Sequence, residues 1–237
     1  ASNCTISGCT NSGSVYSSSA SGSAYVGGVV GGRGCTVTDC ENSGAVQGYG
    51  YVGGVAGHAG KVSNCKNSGR VQCVKQYGGG VAGQASNVSG CENSATVTVS
   101  GEYITVRARY EGSYIGGVVG SASSVSNCTN RGAVSSRTSG VVQISSAAGV
   151  AGKASSASDC INHGKITVSG SYIAGVIGGN GGGTVSKCAN FADIVNETTS
   201  GEQTGGVASA GKLDQCYNTG SVKGYIAVGG LIGGTSN

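Results

Sequence analysis

The sequence predicts an all-β chain folded as a parallel β-solenoid of eight stacked modules, with about three short strands per coil. Three observations lead there. One short pattern of Cys, Asn, Gly and Val recurs eight times along the 237 residues. Segments between turns alternate apolar and polar with period two, as in Gly44-Ala45-Val46-Gln47, which is strand periodicity. Gly is abundant (48) and Pro is absent, so corners are supplied by Gly.

The recurring pattern is Cys, any, Asn, any, Gly or Ala, any, Val or Ile. Its eight copies start at Cys9, Cys40, Cys65, Cys91, Cys128, Cys160, Cys188 and Cys216. Successive copies lie 31, 25, 26, 37, 32, 28 and 28 residues apart. Periods of that size mean stacked units, each too small to bury its own apolar face. A second pattern alternates with the first: two small residues, Val or Leu, any, and usually Gly, as in Gly53-Gly54-Val55-Ala56-Gly57. A third element leads into each Cys, as in Val62-Ser63-Asn64-Cys65. The whole chain reads as one repeat domain, residues 1–237, with insertions near 96–114 and 135–146.

Composition excludes several classes. Charged residues are 10% of the chain and the formal net charge is +4, with no basic cluster to bind nucleic acid. No apolar run approaches the roughly 18 residues of a transmembrane helix. Met is absent, which predicts a trimmed chain, most simply one exported after removal of a signal peptide.

The run Gly229-Gly230-Leu231-Ile232-Gly233 and the run Cys216-Tyr217-Asn218-Thr219-Gly220-Ser221-Val222 resemble the GLUG-motif repeat family, and the other modules are close variants. The resemblance implies a β-solenoid in an extracellular, adhesin-like setting and implies no chemistry. Ala replaces Gly at Ala95, Ala192 and Ala148, which predicts local distortion of those coils.

Stacking turns each repeated letter into a column with steps of about 4.8 Å. The column Val15, Val46, Val71, Val97, Val134, Ile166, Ile194 and Val222 fills the core. The Gly two residues earlier marks a corner of positive φ or of close backbone approach. Asn11, Asn42, Asn67, Asn93, Asn130, Asn162, Asn190 and Asn218 are expected to form an amide ladder, with sugar binding as the alternative. The eight pattern cysteines read as small buried hydrophobes with free thiols, because no Cys-x-x-Cys or His partner gives zinc spacing. Cys4 and Cys35 each precede a pattern Cys by five residues and so share a column, making them the candidate disulfide. Cys73 has no assigned place.

Tyr25, Tyr51, Tyr77, Tyr114 and Tyr172 precede the Gly-Gly pattern at one position, with Ser146 and Gln203 interrupting. They read either as cross-strand packing or as an aromatic surface for glycans or lateral contacts. Tyr103, Arg107, Arg109 and Tyr110, in the longest insertion, are further contact candidates.

Nothing assembles into a catalytic or metal site. The ten acids are scattered, Asp39 and Glu41 being the closest pair. His58 and His163 lie far apart, and no Ser has a His and Asp constellation. The Gly-rich runs recur in every module, unlike a phosphate loop. The expectation is a non-enzymatic chain without cofactor or metal.

The termini are in phase. The chain stops after Val228, Leu231 and Ile232 and starts with Ala1, Ser2, Asn3 and Ile6, the limb that should follow. That predicts identical subunits stacking head to tail into an extracellular filament or surface fibre. A glycan- or surface-binding stalk of a larger adhesin is the alternative, and an ice-binding solenoid is disfavoured by the lack of a regular Thr-x-Thr column. Asn3, Asn87, Asn127 and Asn196 match the N-glycan acceptor pattern.

Overall fold

The structure is a computed structural model. It describes residues 4–19, 23–100, 112–136, 144–180, 183–199 and 203–234. Tyr103, Arg107, Arg109, Tyr110, Ala1, Ser2 and Asn3 lie outside the described residues, as does the middle of each insertion.

The described chain is all β, a parallel solenoid, and each coil contributes to four sheets rather than three. In the first coil these strands are β1 (Thr5–Ser7), β2 (Thr10–Asn11), β3 (Val15–Tyr16) and β4 (Tyr25–Gly27). Each pairs in parallel with its equivalent in the next coil. The first sheet ends at Lys212–Asp214, the second at Tyr217–Asn218, the third at Val222–Lys223 and the fourth at Ala227–Gly229. Three sheets hold eight strands and the first holds eleven, because in several coils the chain after the Gly-Gly pattern adds a further strand to it.

The lead-in and the Cys pattern adjoin in the sequence but lie in different sheets. The residue before every pattern Cys is left-handed. Asp39, Asn64, Asn127, Asp159, Lys187 and Gln215 have φ of 51–54°, and Gly8 and Gly90 have 63° and 62°. Asn, Asp and Gly reach this region most readily, through local hydrogen bonding or the missing Cβ. The turn separates the first sheet from the two-residue Asn strand. The Gly after the Asn needs no positive φ. It is a point of close approach, since a Cβ on Gly69 would collide with the Gly44 carbonyl of the preceding coil.

The interior divides into two apolar clusters. One gathers Val37, Val62, Val88 and the buried pattern cysteines with the Val and Ala of the Gly-Gly segment. The other holds Val46, Val71, Val97, Ile166 and Ile194 from the third sheet with Val52, Ile115 and Ile173 from the fourth. In every coil but the last, the second small residue of the Gly-Gly pattern packs against the Asn of the following coil: a Cβ on Gly54, Gly80 or Gly175 would run into the carboxamide of Asn67, Asn93 or Asn190. The two sequence patterns therefore meet inside the coil. Ala95 and Ala192 cause no break, because Asn93 and Asn190 donate to their carbonyls at 2.7 Å as Asn42 does to Gly44. Ala148 is paired in register with Gly116 and Ala174. Among the described residues no helix is long and apolar enough to cross a membrane.

Candidate functional site

Three ladders and two open ends are the features a partner could read. The asparagine ladder is continuous. Each Nδ2 donates to the carbonyl two residues on in its own coil and to Oδ1 of the Asn in the next coil. From Asn11 to Asn218 the seven rung-to-rung bonds span 2.7–3.0 Å. A carbonyl only accepts, so the bond to it fixes which end of each carboxamide faces the next rung, and the ladder has one direction. The six inner asparagines are at most 2% exposed. With their donors consumed inside the coil, they are not placed to hold a sugar.

The cysteine column is buried from Cys40 to Cys188, but Cys9 is exposed and Cys216 is half-buried. These two lie in the first and last described coils, where no described coil covers them. The column is more than hydrophobic filling: each thiol donates to the carbonyl two residues before it, at 3.1–3.4 Å, just ahead of the left-handed residue. Burial pushes the Cys40 thiol above its ordinary value. At Cys65 the neighbouring Cys91 thiol and burial act together in the same direction. Such thiols stay protonated and are poor nucleophiles. Cys73 lies in the third sheet between Gly48 and Val99, fully buried, and burial raises it to about 11. Cys4 and Cys35 are joined, Cα to Cα 4.6 Å, stapling the first two coils. Closing a loop of this length is worth about 3–4 kcal/mol in the chain-entropy account.

The tyrosines form a stack of four. Tyr25 and Tyr51 stack at 4.8 Å, Tyr51 and Tyr77 at 4.5 Å with planes 7° apart, and Tyr77 and Tyr114 meet tilted at 5.6 Å. Both ends of the stack carry a cation: Arg33 lies over Tyr25 at 4.5 Å, and Lys153 over Tyr114 at 5.0 Å. Lys153 belongs to the next coil, where Ser146 stands in place of a ring. Tyr172 lies beyond Ser146. Ring faces turned to one another and covered at the ends leave edges outward, which is not the open platform on which a sugar stacks.

His58 sits edge-on to Tyr25 and Tyr51, at 5.6 and 5.8 Å, and its buried Nδ1 has no hydrogen-bond partner. Burial and the nearby Arg33 charge hold it below the ordinary histidine range. His163 stacks on Phe191 at 4.8 Å, far from it. Among the described residues no group of three or more His, Cys, Asp or Glu is placed to hold a metal ion.

The acceptor-pattern asparagines separate. Asn87 and Asn127 are exposed. Asn196 is 5% exposed and donates to the Gly170 carbonyl and Thr204 Oγ1, so the expectation of a glycan there is withdrawn. Its inward direction follows from its place in the third sheet, opposite Val168.

Residues 48–72 match the family model described as the GLUG motif. That span runs from the end of one third-sheet strand through Tyr51, the Gly-Gly pair, Cys65 and Asn67 to the next third-sheet strand, which is one full circuit of the coil. The GLUG unit is thus one turn of this solenoid, and the other coils repeat its ladders. No curated protein and no solved structure matches the chain.

At the last coil Val228 and Leu231 are 43% and 42% exposed, and Ile226 is 66% exposed. Ile232 in the last coil and Ile6 in the first are half-buried. The left-handed turns, the thiol caps and the contact between Gly-Gly and Asn had no counterpart in the sequence reading. The Asn, Asp and Gly bias of the position before each Cys was the available signal for the first of them.

Proposed function

We propose that this chain is a non-enzymatic structural repeat protein that stacks head to tail with copies of itself, building an extracellular filament or surface fibre. A GLUG repeat on a β-solenoid fits a structural or adhesin-like protein, and the end faces favour the structural reading. The observation that carries it is the direction of the asparagine ladder. At one end Asn218 Nδ2 donates to the Gly220 carbonyl and reaches no further Asn among the described residues. At the other, Asn11 Oδ1 meets only the amide of its own Gly13. A donor at the last rung and an acceptor at the first are complementary in the polarity that the seven internal bonds use. Cys216 would cover Cys9 and Leu213 would cover Ile6, removing apolar surface from water at about 25 cal/mol per Å². Main-chain ladder bonds would add to this, as in strand addition. Such a contact does not close, so it propagates.

Glycine supplies the test. A Cβ on Gly206 would collide with the Gly230 carbonyl and the Asn218 carboxamide of the coil above, whereas a Cβ on Gly230 meets nothing within 4 Å. In a stack the space over Gly230 is taken by Gly28 and Asn11 of the next copy. Gly230→Ala should therefore fold and melt like the wild type while abolishing fibres in negative-stain images. Gly32→Ala, at an open loop position, should leave both unchanged. A wild-type protein that stays monomeric at high concentration without fibres, or a Gly230→Ala variant that polymerises normally, overturns the proposal.

A further inference from the structure

The tyrosine stack climbs one side of the coil from Tyr25 in the first coil, so its inner pair, Tyr51 and Tyr77, stands inside the end face and between other rings. Two of its rings differ from the others. Tyr51 and Tyr77 are the closest and most parallel pair, 4.5 Å apart with planes 7° apart, and they stand on neighbouring strands paired residue for residue. The outer rings, Tyr25 and Tyr114, each have a cation over the face. A positive charge there disfavours removal of an electron from that ring. An electron hole in the stack therefore settles on the inner pair. Tyr51 also has His58 at its edge, with an Nδ1 that has no partner and can accept a proton. Burial and Arg33 keep that imidazole neutral.

The competing targets among the described residues are the exposed Cys9 thiol, the half-buried Cys216 thiol and the exposed phenols of Tyr16, Tyr217 and Tyr225, which lie outside the stack. The chain contains no Trp and no Met. The pattern thiols from Cys40 to Cys188, and Cys73, are buried. Tyr51 and Tyr77 are half-buried and so reach solvent.

We propose that Tyr51 and Tyr77 form an oxidative cross-linking site at which a one-electron oxidant of the peroxidase class joins two adjacent coils through a dityrosine bond. Each phenol loses one electron and its phenolic proton. The two aryloxyl radicals combine through the Cε carbons beside their oxygens. Each joined carbon then gives up its hydrogen and each oxygen regains one, restoring two aromatic phenols. The net change is one carbon–carbon bond formed and two electrons and two protons lost. Hydrogen peroxide takes these up and becomes two molecules of water. Neighbouring strands of a sheet stand about 4.8 Å apart, so coupling asks for ring rotation without separation of the backbones. The product is a covalent staple on the tyrosine side of the second and third coils, complementing the disulfide between the first and second.

The experiment treats the whole chain, at a dilution where it is monomeric, with a peroxidase and hydrogen peroxide. Dityrosine fluorescence gives the yield, and peptide mapping by mass spectrometry gives the partners. The expected result is one dominant intramolecular product, the Tyr51 and Tyr77 peptides joined with loss of two hydrogen atoms. Tyr51→Phe and Tyr77→Phe, which keep a ring in the stack, should each lower the total yield several-fold with unchanged circular dichroism. Tyr16→Phe, at an exposed ring, should leave it unchanged. Three results overturn the proposal: no dityrosine at all, products mapped mainly to the exposed Tyr16, Tyr217 or Tyr225, or an undiminished yield in a folded Tyr51→Phe variant.

Discussion

The asparagine ladder and the tyrosine ladder both climb the solenoid with one residue per coil, but one is unbroken through eight coils and the other stops after four. The difference is one of solvent. Inside the coil each Asn satisfies groups that have no water to turn to: a carbonyl in its own coil, an Asn below and an Asn above. A rung missing there strands polar groups on both sides. On the half-buried face the tyrosines contribute area and stacking, and where Ser146 replaces a ring, its hydroxyl donates to the Gly152 carbonyl and the Lys153 ammonium covers Tyr114. A surface column can be interrupted and patched, whereas a dry hydrogen-bonded column cannot.

The sharpest way to break this comparison is Asn93→Leu. It removes the acceptor of the Asn67 carboxamide, the donor to Asn130 and the donor to the Ala95 carbonyl. Each stranded buried group costs about 1–3 kcal/mol, so the total loss should be several kcal/mol, read as a large fall in calorimetric Tm. Asn218→Ala, at the open end, removes two half-buried bonds, the rung bond from Asn190 and the bond to the Gly220 carbonyl, and should cost about 1–2 kcal/mol, less than the buried rung. Equal losses at the two positions would mean that the ladder does not owe its strength to dryness.

Next in size is a pH effect that isolates burial without hydrogen-bond deletion. Unfolded, Cys73 would lose its proton at the ordinary 9.0, while burial holds it to about 11 in the fold. The folded chain therefore keeps a proton that the unfolded chain gives up. Its contribution to stability is whole below pH 9 and fades as pH rises from 9 toward 11. The loss for this group is about 2–3 kcal/mol. Urea midpoints should fall across that window, and Cys73→Val should fall less steeply. An identical slope in the variant would assign the alkaline loss to other groups.

The eight modules, the asparagine column and the inward Val positions were legible because stacking copies a local pattern at a fixed spacing, and a repeat exposes that spacing directly. Four sheets in place of three were not legible. The break between the lead-in strand and the Asn strand depends on a single dihedral at Asp39, Asn64 and their equivalents, and Lys187 and Gln215 hold the same conformation with side chains that do not advertise it. The stack of Tyr25 to Tyr114 was visible as a column, but its closed faces were not. Arg33 and Lys153 reach it from loop and neighbouring-strand positions that no periodicity marks. The buried Asn196 shows the same limit, since an acceptor tripeptide says nothing about which side of a strand its Asn faces.

The smallest effect belongs to the tyrosine column itself. Tyr51 stacks on a ring above and a ring below, whereas Tyr25 has one ring neighbour in the stack and a cation on it. An aromatic pair is worth about 0.5–1.5 kcal/mol beyond its buried area. Tyr51→Leu keeps much of the apolar area but loses two pairs, so it should cost about 1–3 kcal/mol, and Tyr25→Leu about half of that. Both should stay below Asn93→Leu, because the edges of this stack remain wet and the next ring can shift to close the gap. Denaturation midpoints of the three variants, measured together, rank them directly. If Tyr51→Leu proved as damaging as Asn93→Leu, the two ladders would be equal partners in fixing the register. Ser146 would then have to count as a weak joint in the solenoid, with the coils on either side of it opening first in hydrogen exchange.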